Sequence, residues 1–165
     1  MIIIVIGVSG AGKSTLGRAL ARALDWTFIE GDDFHPPRNV GKMRRGEPLN
    51  DEDRAPWLAE LHRHIAALER QGRDAVLACS ALKRSYRTVL SRGIQELRFV
   101  FLGGDSEVIR ARLRDREAHF MPAGLLDSQI ATLETPEDAI FVNIKLSTAQ
   151  QVKQVLRTLG LEANP

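Results

Sequence analysis

Two hydrophobic rhythms alternate along the chain. Ile2–Ile6 is an unbroken β-branched run, the pattern of a strand buried on both faces. Through Lys13–Leu24 the spacing changes: Leu16, Leu20 and Leu24 recur every fourth residue, which predicts a helix. Short apolar runs at 26–29, 75–79, 97–102 and 139–144 predict four more strands. Helical spacing returns between them. One helix is expected after Asp51 or Asp53 as its cap, with Pro56 in its first turn, Trp57, Leu61, Ile65 and Leu68 as its buried stripe, and Gly72 as its stop. Others are expected at 83–91, 106–116 and 125–134. The last is capped by Ser147 or Thr148, turns Val152, Val155, Leu156 and Leu159 inward and closes at Gly160. Five strands alternating with helices predict an α/β domain, a parallel sheet covered on both faces.

Residues 31–50 break the rhythm. Gly31, Pro36, Pro37, Gly41, Gly46 and Pro48 allow only short helices there, and so long a punctuated segment inside a compact domain is usually functional. With 165 residues, 44% of them apolar, the chain is expected to form one domain over 1–165. No apolar run approaches the roughly 20 residues that span a membrane, and the short start reads as a strand rather than a signal peptide. Cys79, the single cysteine, permits no intrachain disulfide and fits a reducing cytoplasm. A net charge of +2 is too small to suggest nucleic acid as partner. The basic set, 18 Arg and 5 Lys, suits an anionic ligand, because a guanidinium makes two-pronged contacts with phosphate and carboxylate.

The strongest chemical signal is Gly7-Val8-Ser9-Gly10-Ala11-Gly12-Lys13-Ser14-Thr15. It fills every fixed position of the P-loop pattern, G-x-x-x-x-G-K followed by Ser or Thr, between a predicted strand and helix. Glycines let the backbone wrap phosphate oxygens, and N–H groups at the helix start face the anion. Lys13 is expected to reach the β- and γ-phosphates of ATP, and the Ser14 hydroxyl to bind Mg²⁺. The motif specifies nucleotide binding, not a reaction.

The third strand ends Ala78-Cys79-Ser80 without an acid, and Asp74 sits at its other end. The second strand ends Glu30-Gly31-Asp32-Asp33, at the carboxyl edge where such sheets bind ligands. Asp32 is therefore the expected base for an attacking hydroxyl, and Glu30 is expected to support the metal through water. Farther on, Arg110, Arg112, Arg114 and Arg116 occupy alternate positions, which puts Arg112 and Arg116 on one helix face. They read either as lid arginines over a transferring phosphate or as a solvated basic face.

Several separate blocks complete a pattern: Gly31-Asp-Asp-Phe-His-Pro-Pro-Arg-Asn39, Lys42-Met43, Gly46 to Asp51, Asp53 to Leu58, Cys79 to Lys83 with Tyr86-Arg87, Arg112-x-x-x-Arg116-x-x-His119-Phe120, and Leu125 to Glu134. In this order, behind the P-loop, they make the chain resemble the short P-loop gluconokinases, relatives of shikimate and nucleoside-monophosphate kinases, from Ile2 to about Leu159. The resemblance implies transfer of the ATP γ-phosphate to the 6-hydroxyl of D-gluconate, a P-loop NTPase fold, Mg²⁺, a helical lid at about 110–126, and a homodimer. It also favours the lid reading of Arg112 and Arg116, which with Lys13 and Asp32 make the expected catalytic set.

A sugar acid with one carboxylate and five hydroxyls needs cations and several polar groups. The blocks supply Asp32, His35, Lys42, Arg54, Lys83, Arg87, His119 and Gln129, with Arg38 and Ser80 nearby. Arg54 and Arg87 are the preferred carboxylate partners as two-pronged donors. Two other readings stay open: another small-molecule or nucleotide kinase, and a nucleotide-binding module without an acceptor.

Overall fold

The computed structural model describes residues 1–114 and 123–164, with the side chains of 112–114 and 123–125 outside that description. Strands β1 (Ile2–Ile6), β2 (Thr27–Glu30), β3 (Ala75–Ala78), β4 (Leu97–Gly103) and β5 (Ile140–Asn143) form one sheet in the order β2-β3-β1-β4-β5. Every pairing is parallel. The helices are α1 (Lys13–Leu24), α2 (Pro37–Arg44), α3 (Asp51–Arg70), α4 (Arg84–Ser91), α5 (Ser106–Arg114), α6 (Ala123–Thr132) and α7 (Thr148–Leu159).

The central strand explains the two-sided core. Alternate side chains of a strand point to opposite faces. Ile3 and Val5 pack with Leu16 and Leu20 of α1 and with Val155 and Leu156 of α7. Ile2, Ile4 and Ile6 pack with Trp57, Leu61 and Ile65 of α3 and with Leu90 of α4. Burying each such aliphatic side chain stabilises the fold by about 1.5–3 kcal/mol. All five strands run the same way, so their carboxyl ends share one edge, where the loops that carry the chemistry gather.

The segment 31–50 holds a single 3₁₀ turn, Gly31–Phe34, and the eight-residue α2, which starts at Pro37. Two expectations for α3 are corrected. Its cap is Asn50, not Asp51 or Asp53: the Asn50 side chain accepts from the Asp53 amide at 2.8 Å, and Asp53 accepts from the Asn50 amide at 3.1 Å. This reciprocal box uses Asp53 as its third helical residue rather than as the cap. Pro56 consequently lies at the sixth helical position, beyond the first turn, where its missing N–H removes one helical hydrogen bond. Ser147 caps α7 through the same kind of box with Gln150, and Gly160 closes it at φ 66°.

Candidate active site

The P-loop joins β1 to α1. Gly7, Gly10 and Gly12 have φ of 147°, 80° and 105°, all in the region that favours glycine. At Gly7 a Cβ would stand 2.6 Å from the Leu102 carbonyl oxygen, so that turn admits no side chain. Gly12 is the N-cap of α1 and brings no side chain to the helix start. The first-turn N–H groups of Lys13, Ser14 and Thr15 therefore meet a ligand with no side-chain cap in competition. Lys13 Nζ donates to the Val8 carbonyl at 3.2 Å, folded back over the loop. The Ser9 amide donates to Gln129 Oε1 at 2.7 Å, tying the loop to α6.

Opposite the loop, the 3₁₀ turn after β2 presents Asp32. Gly31 is buried against β3: a Cβ there would meet the Ala78 carbonyl oxygen at 2.5 Å. Trp57 Nε1, from the core of α3, donates to the Gly31 carbonyl at 2.7 Å and holds the turn from behind. Lys13 and Asp32 line one cleft together with Ser9, His35, Arg54, Ser80, Ser128 and Gln129. Met43, Glu47, Pro48 and Leu49 complete its lining.

Charged groups in and beside this cleft act on one another. Burial holds Lys13 below its ordinary pKa, against the pull of the Asp32 and Glu30 carboxylates. Burial raises Glu30, which Ser14 hydrogen-bonds and Arg18 approaches at 3.4 Å. Burial also pushes His35 down to about 4, opposed by Asp32 and reinforced by Arg54. Cys79 is pushed up to about 12, chiefly by burial and then by Asp32, so its thiol is inert at neutral pH.

Of the residues expected from sequence to meet an acceptor, Asp32, His35, Arg54 and Gln129 come together in the cleft. Three do not. Lys42 donates to both carboxylate oxygens of Asp53, at 2.9 and 2.7 Å. Lys83 does the same to Asp51, at 2.7 and 2.8 Å. Arg87 is a correction of substance. It is buried and donates to the Ala81 and Leu82 carbonyls at 3.2 and 3.0 Å, which supports the turn after β3, where Ala81 has φ 36°. A guanidinium near the end of a strand satisfies stray carbonyls as readily as it binds a carboxylate. Arg38 is exposed, 3.9 Å from Asp53. Arg116 and His119 lie outside the described residues, as does the side chain of Arg112. Arg110 joins α5 to α6 through Asp127 at 2.6 Å.

Sequence reasoning missed Ser128, which adjoins Gln129 on α6 and reaches the same cleft. It also missed Asn39, a buried amide on α2 between His35 and Asp53. The sequence signal for Asn39 was its position, four residues after His35 in the most distinctive block.

The geometry agrees with the comparisons. A family model described as an AAA domain matches residues 2–136. The chain is 52% identical over 136 residues to the gluconokinase of Gluconobacter oxydans, covering 82% of this chain and 76% of that one. The chain belongs to the gluconokinase family. The crystal structure of a gluconokinase from Sinorhizobium meliloti superposes with a TM-score of 0.87 at 44% identity, covering 96% of this chain and 90% of that one. The fold reaches further than the family: shikimate kinase from Aquifex aeolicus superposes with a TM-score of 0.65 at 21% identity, over 97% of this chain and 96% of that one. A gluconokinase-family chain thus carries the P-loop, Asp32 and Arg54 on a P-loop kinase sheet.

Proposed function

We propose that the protein transfers the γ-phosphoryl group of ATP to the 6-hydroxyl of D-gluconate, giving 6-phosphogluconate and ADP. One observation carries the reading: the P-loop lysine Lys13, the carboxylate Asp32 and the guanidinium Arg54 line a single cleft. A phosphate grip, a proton acceptor and an anion partner then surround one point, which is what transfer to an acidic polyol requires.

The cradle fits a triphosphate, because the glycine turns leave room only for backbone against the anion. Asp32 takes the proton of the 6-hydroxyl as its oxygen bonds to the γ-phosphorus, and the bond from that phosphorus to the bridging oxygen breaks to release ADP. Arg54 faces the gluconate carboxylate, and Gln129 and Ser128 its hydroxyls. Lys13 stays on the phosphates, and the role expected of Arg112 and Arg116 rests on the family resemblance alone, since Arg116 and the Arg112 side chain lie outside the described residues.

The donor set also fits Mg²⁺. Among the described residues no group of three acidic or imidazole side chains converges, and this ion is commonly held by one or two protein groups with phosphate oxygens and water. Ser14, with Glu30 hydrogen-bonded beside it, would hold it there, and when bound it neutralises phosphate charge. Among the described residues no helix is long and apolar enough to cross a membrane. A cytoplasmic homodimer is part of the proposal and rests on the family resemblance.

The test is an acceptor panel of gluconate, shikimate, glycerate, glucose and AMP. Gluconate alone should greatly raise ADP release. Equal stimulation by AMP would contradict the reading, and turnover indifferent to every acceptor would favour a nucleotide-binding module.

A further inference from the structure

We infer that Asn39 is a positioning residue that fixes His35 in its Nε2–H tautomer, so that His35 meets the acceptor as a neutral hydrogen-bond donor. The inference deepens the gluconate reading and rests on it for the identity of the acceptor.

Asn39 is 1% exposed and lies on α2, its side chain reaching α3. Its Nδ2 lies 2.8 Å from the carbonyl oxygen of Asp53. A carbonyl oxygen only accepts, so that contact decides which end of the amide is the NH₂ group. The same Nδ2 lies 3.3 Å from His35 Nδ1. An amide nitrogen only donates, so Nδ1 must present its lone pair to Asn39. The one proton of the neutral imidazole then sits on Nε2. Both hydrogens of the Asn39 amide are thereby used, one on the backbone of α3 and one on the ring.

One contact holds the ring directly and two more brace the residues around it. Trp57 stacks on its face, with centroids 4.1 Å apart. The His35 amide donates to the Asp32 carbonyl at 3.2 Å. Asp53, whose backbone Asn39 grips, is itself clamped by Lys42. The charges that face His35 are Asp32 from the 3₁₀ turn and Arg54 from α3. Burial and Arg54 keep the ring neutral against Asp32.

The consequence is a division of labour. Nδ1 is committed to Asn39, so His35 offers the cleft an N–H and no lone pair. It cannot take the proton of the attacking hydroxyl, which leaves that task to Asp32. It can donate to a hydroxyl or carboxylate oxygen of the acceptor. An acceptor lacking an oxygen at that place leaves a desolvated donor unpaired, a strong basis for rejection.

The experiment is a long-range proton–nitrogen correlation spectrum of the full chain labelled with nitrogen-15 histidine, near neutral pH and without acceptor. The expected signature is protonated Nε2 and unprotonated Nδ1 for His35. Protonated Nδ1, or an imidazolium, would overturn the inference whatever the acceptor panel gives. The expected tautomer with a panel silent toward gluconate would sink the acceptor assignment and leave the role of Asn39 standing. Asn39→Ala should mix the two tautomers and raise KM for gluconate about tenfold, roughly one hydrogen bond, with KM for ATP unchanged. Should Asn39→Ala fail to fold, a second pair decides. The amide of His35→Gln reaches the Nε2 position and should keep most gluconate affinity, whereas His35→Asn, which mimics Nδ1, should lose it. The reverse ranking would overturn the inference.

Discussion

His35 lies flat on Trp57, with ring centroids 4.1 Å apart and planes inclined by 15°. The indole that supports this ring also donates through Nε1 to the Gly31 carbonyl, at 2.7 Å. One buried residue of α3 therefore sets both the plane of His35 and the turn that presents Asp32. Trp57→Phe keeps an aromatic face and loses the donor, so it should cost about 1 kcal/mol of stability. Trp57→Ala also opens a cavity and should cost about 3–5 kcal/mol. Urea titrations measure both, and turnover should fall in both variants because the Asp32 turn loses its anchor.

Gly31 is the closest-packed point of the same arrangement. In Gly31→Ala the new methyl would press on the Ala78 carbonyl, 2.5 Å away, and neither partner is a flexible side-chain end. The expected cost is about 1–3 kcal/mol, the range for overpacking. The shift must move the Asp32 turn off β3, so kcat should fall while ATP affinity, set at the P-loop, stays near wild type. Isothermal titration with a non-hydrolysable ATP analogue separates the two effects.

Arg54 and Arg87 were equivalent in the sequence and are not equivalent in the fold. Arg54 lines the cleft and spends one guanidinium nitrogen on the Leu49 carbonyl, whereas Arg87 is buried and donates to both the Ala81 and Leu82 carbonyls. Arg54→Met should raise KM for gluconate by about tenfold or more, the loss expected for a hydrogen-bonded charge, and, because it also loses the bond to the Leu49 carbonyl, lower the melting temperature, though less than the buried Arg87→Met does. Arg87→Met should lower the melting temperature and leave KM nearly unchanged in the protein that remains folded. Thermal melts and steady-state kinetics on the two variants check the contrast.

Acid should weaken the protein in two separate windows. His35 is depressed to about 4 in the folded state, mainly by burial, whereas an unfolded histidine titrates near 6.5. Between those values the unfolded chain binds the extra proton, so stability is full above about 6.5 and falls as pH drops toward 4. Asp53 is held low by Lys42 and the Asn50 amide, so its contribution is present above about 4 and is lost only below that. Relative to wild type, His35→Gln should flatten the upper window and leave the lower one. Urea midpoints from about pH 3 to 8 measure both, and identical slopes for the two proteins in the upper window would refute the assignment.

Periodicity made the sheet legible. The β-branched run of β1 and the fourfold spacing of α1 depend on local geometry alone, and both elements appear with the bounds expected. The P-loop was legible for the same reason, since its glycines serve a local backbone conformation. The α3 cap was less so. Asn50, Asp51 and Asp53 are all good caps, and only the reciprocal bond between Asn50 and Asp53 selects among them. Cleft membership was the hardest to read. Lys42, Lys83, Arg54 and Arg87 are all cations in the sequence, and their partners are 11, 32, 5 and up to 6 residues away. Composition cannot tell a cation that faces a ligand from one that satisfies its own fold.

The meeting of Lys13 and Asp32 in one cleft is tested most directly by the kinetics of Asp32→Asn. The substitution keeps the shape of the side chain and removes its power to take a proton. Gluconate-dependent kcat should fall by about 10²–10⁴, the usual worth of a general base, while ATP binding measured on the same sample stays within about twofold. Turnover near wild type in that variant would contradict the placement of Asp32 as the base.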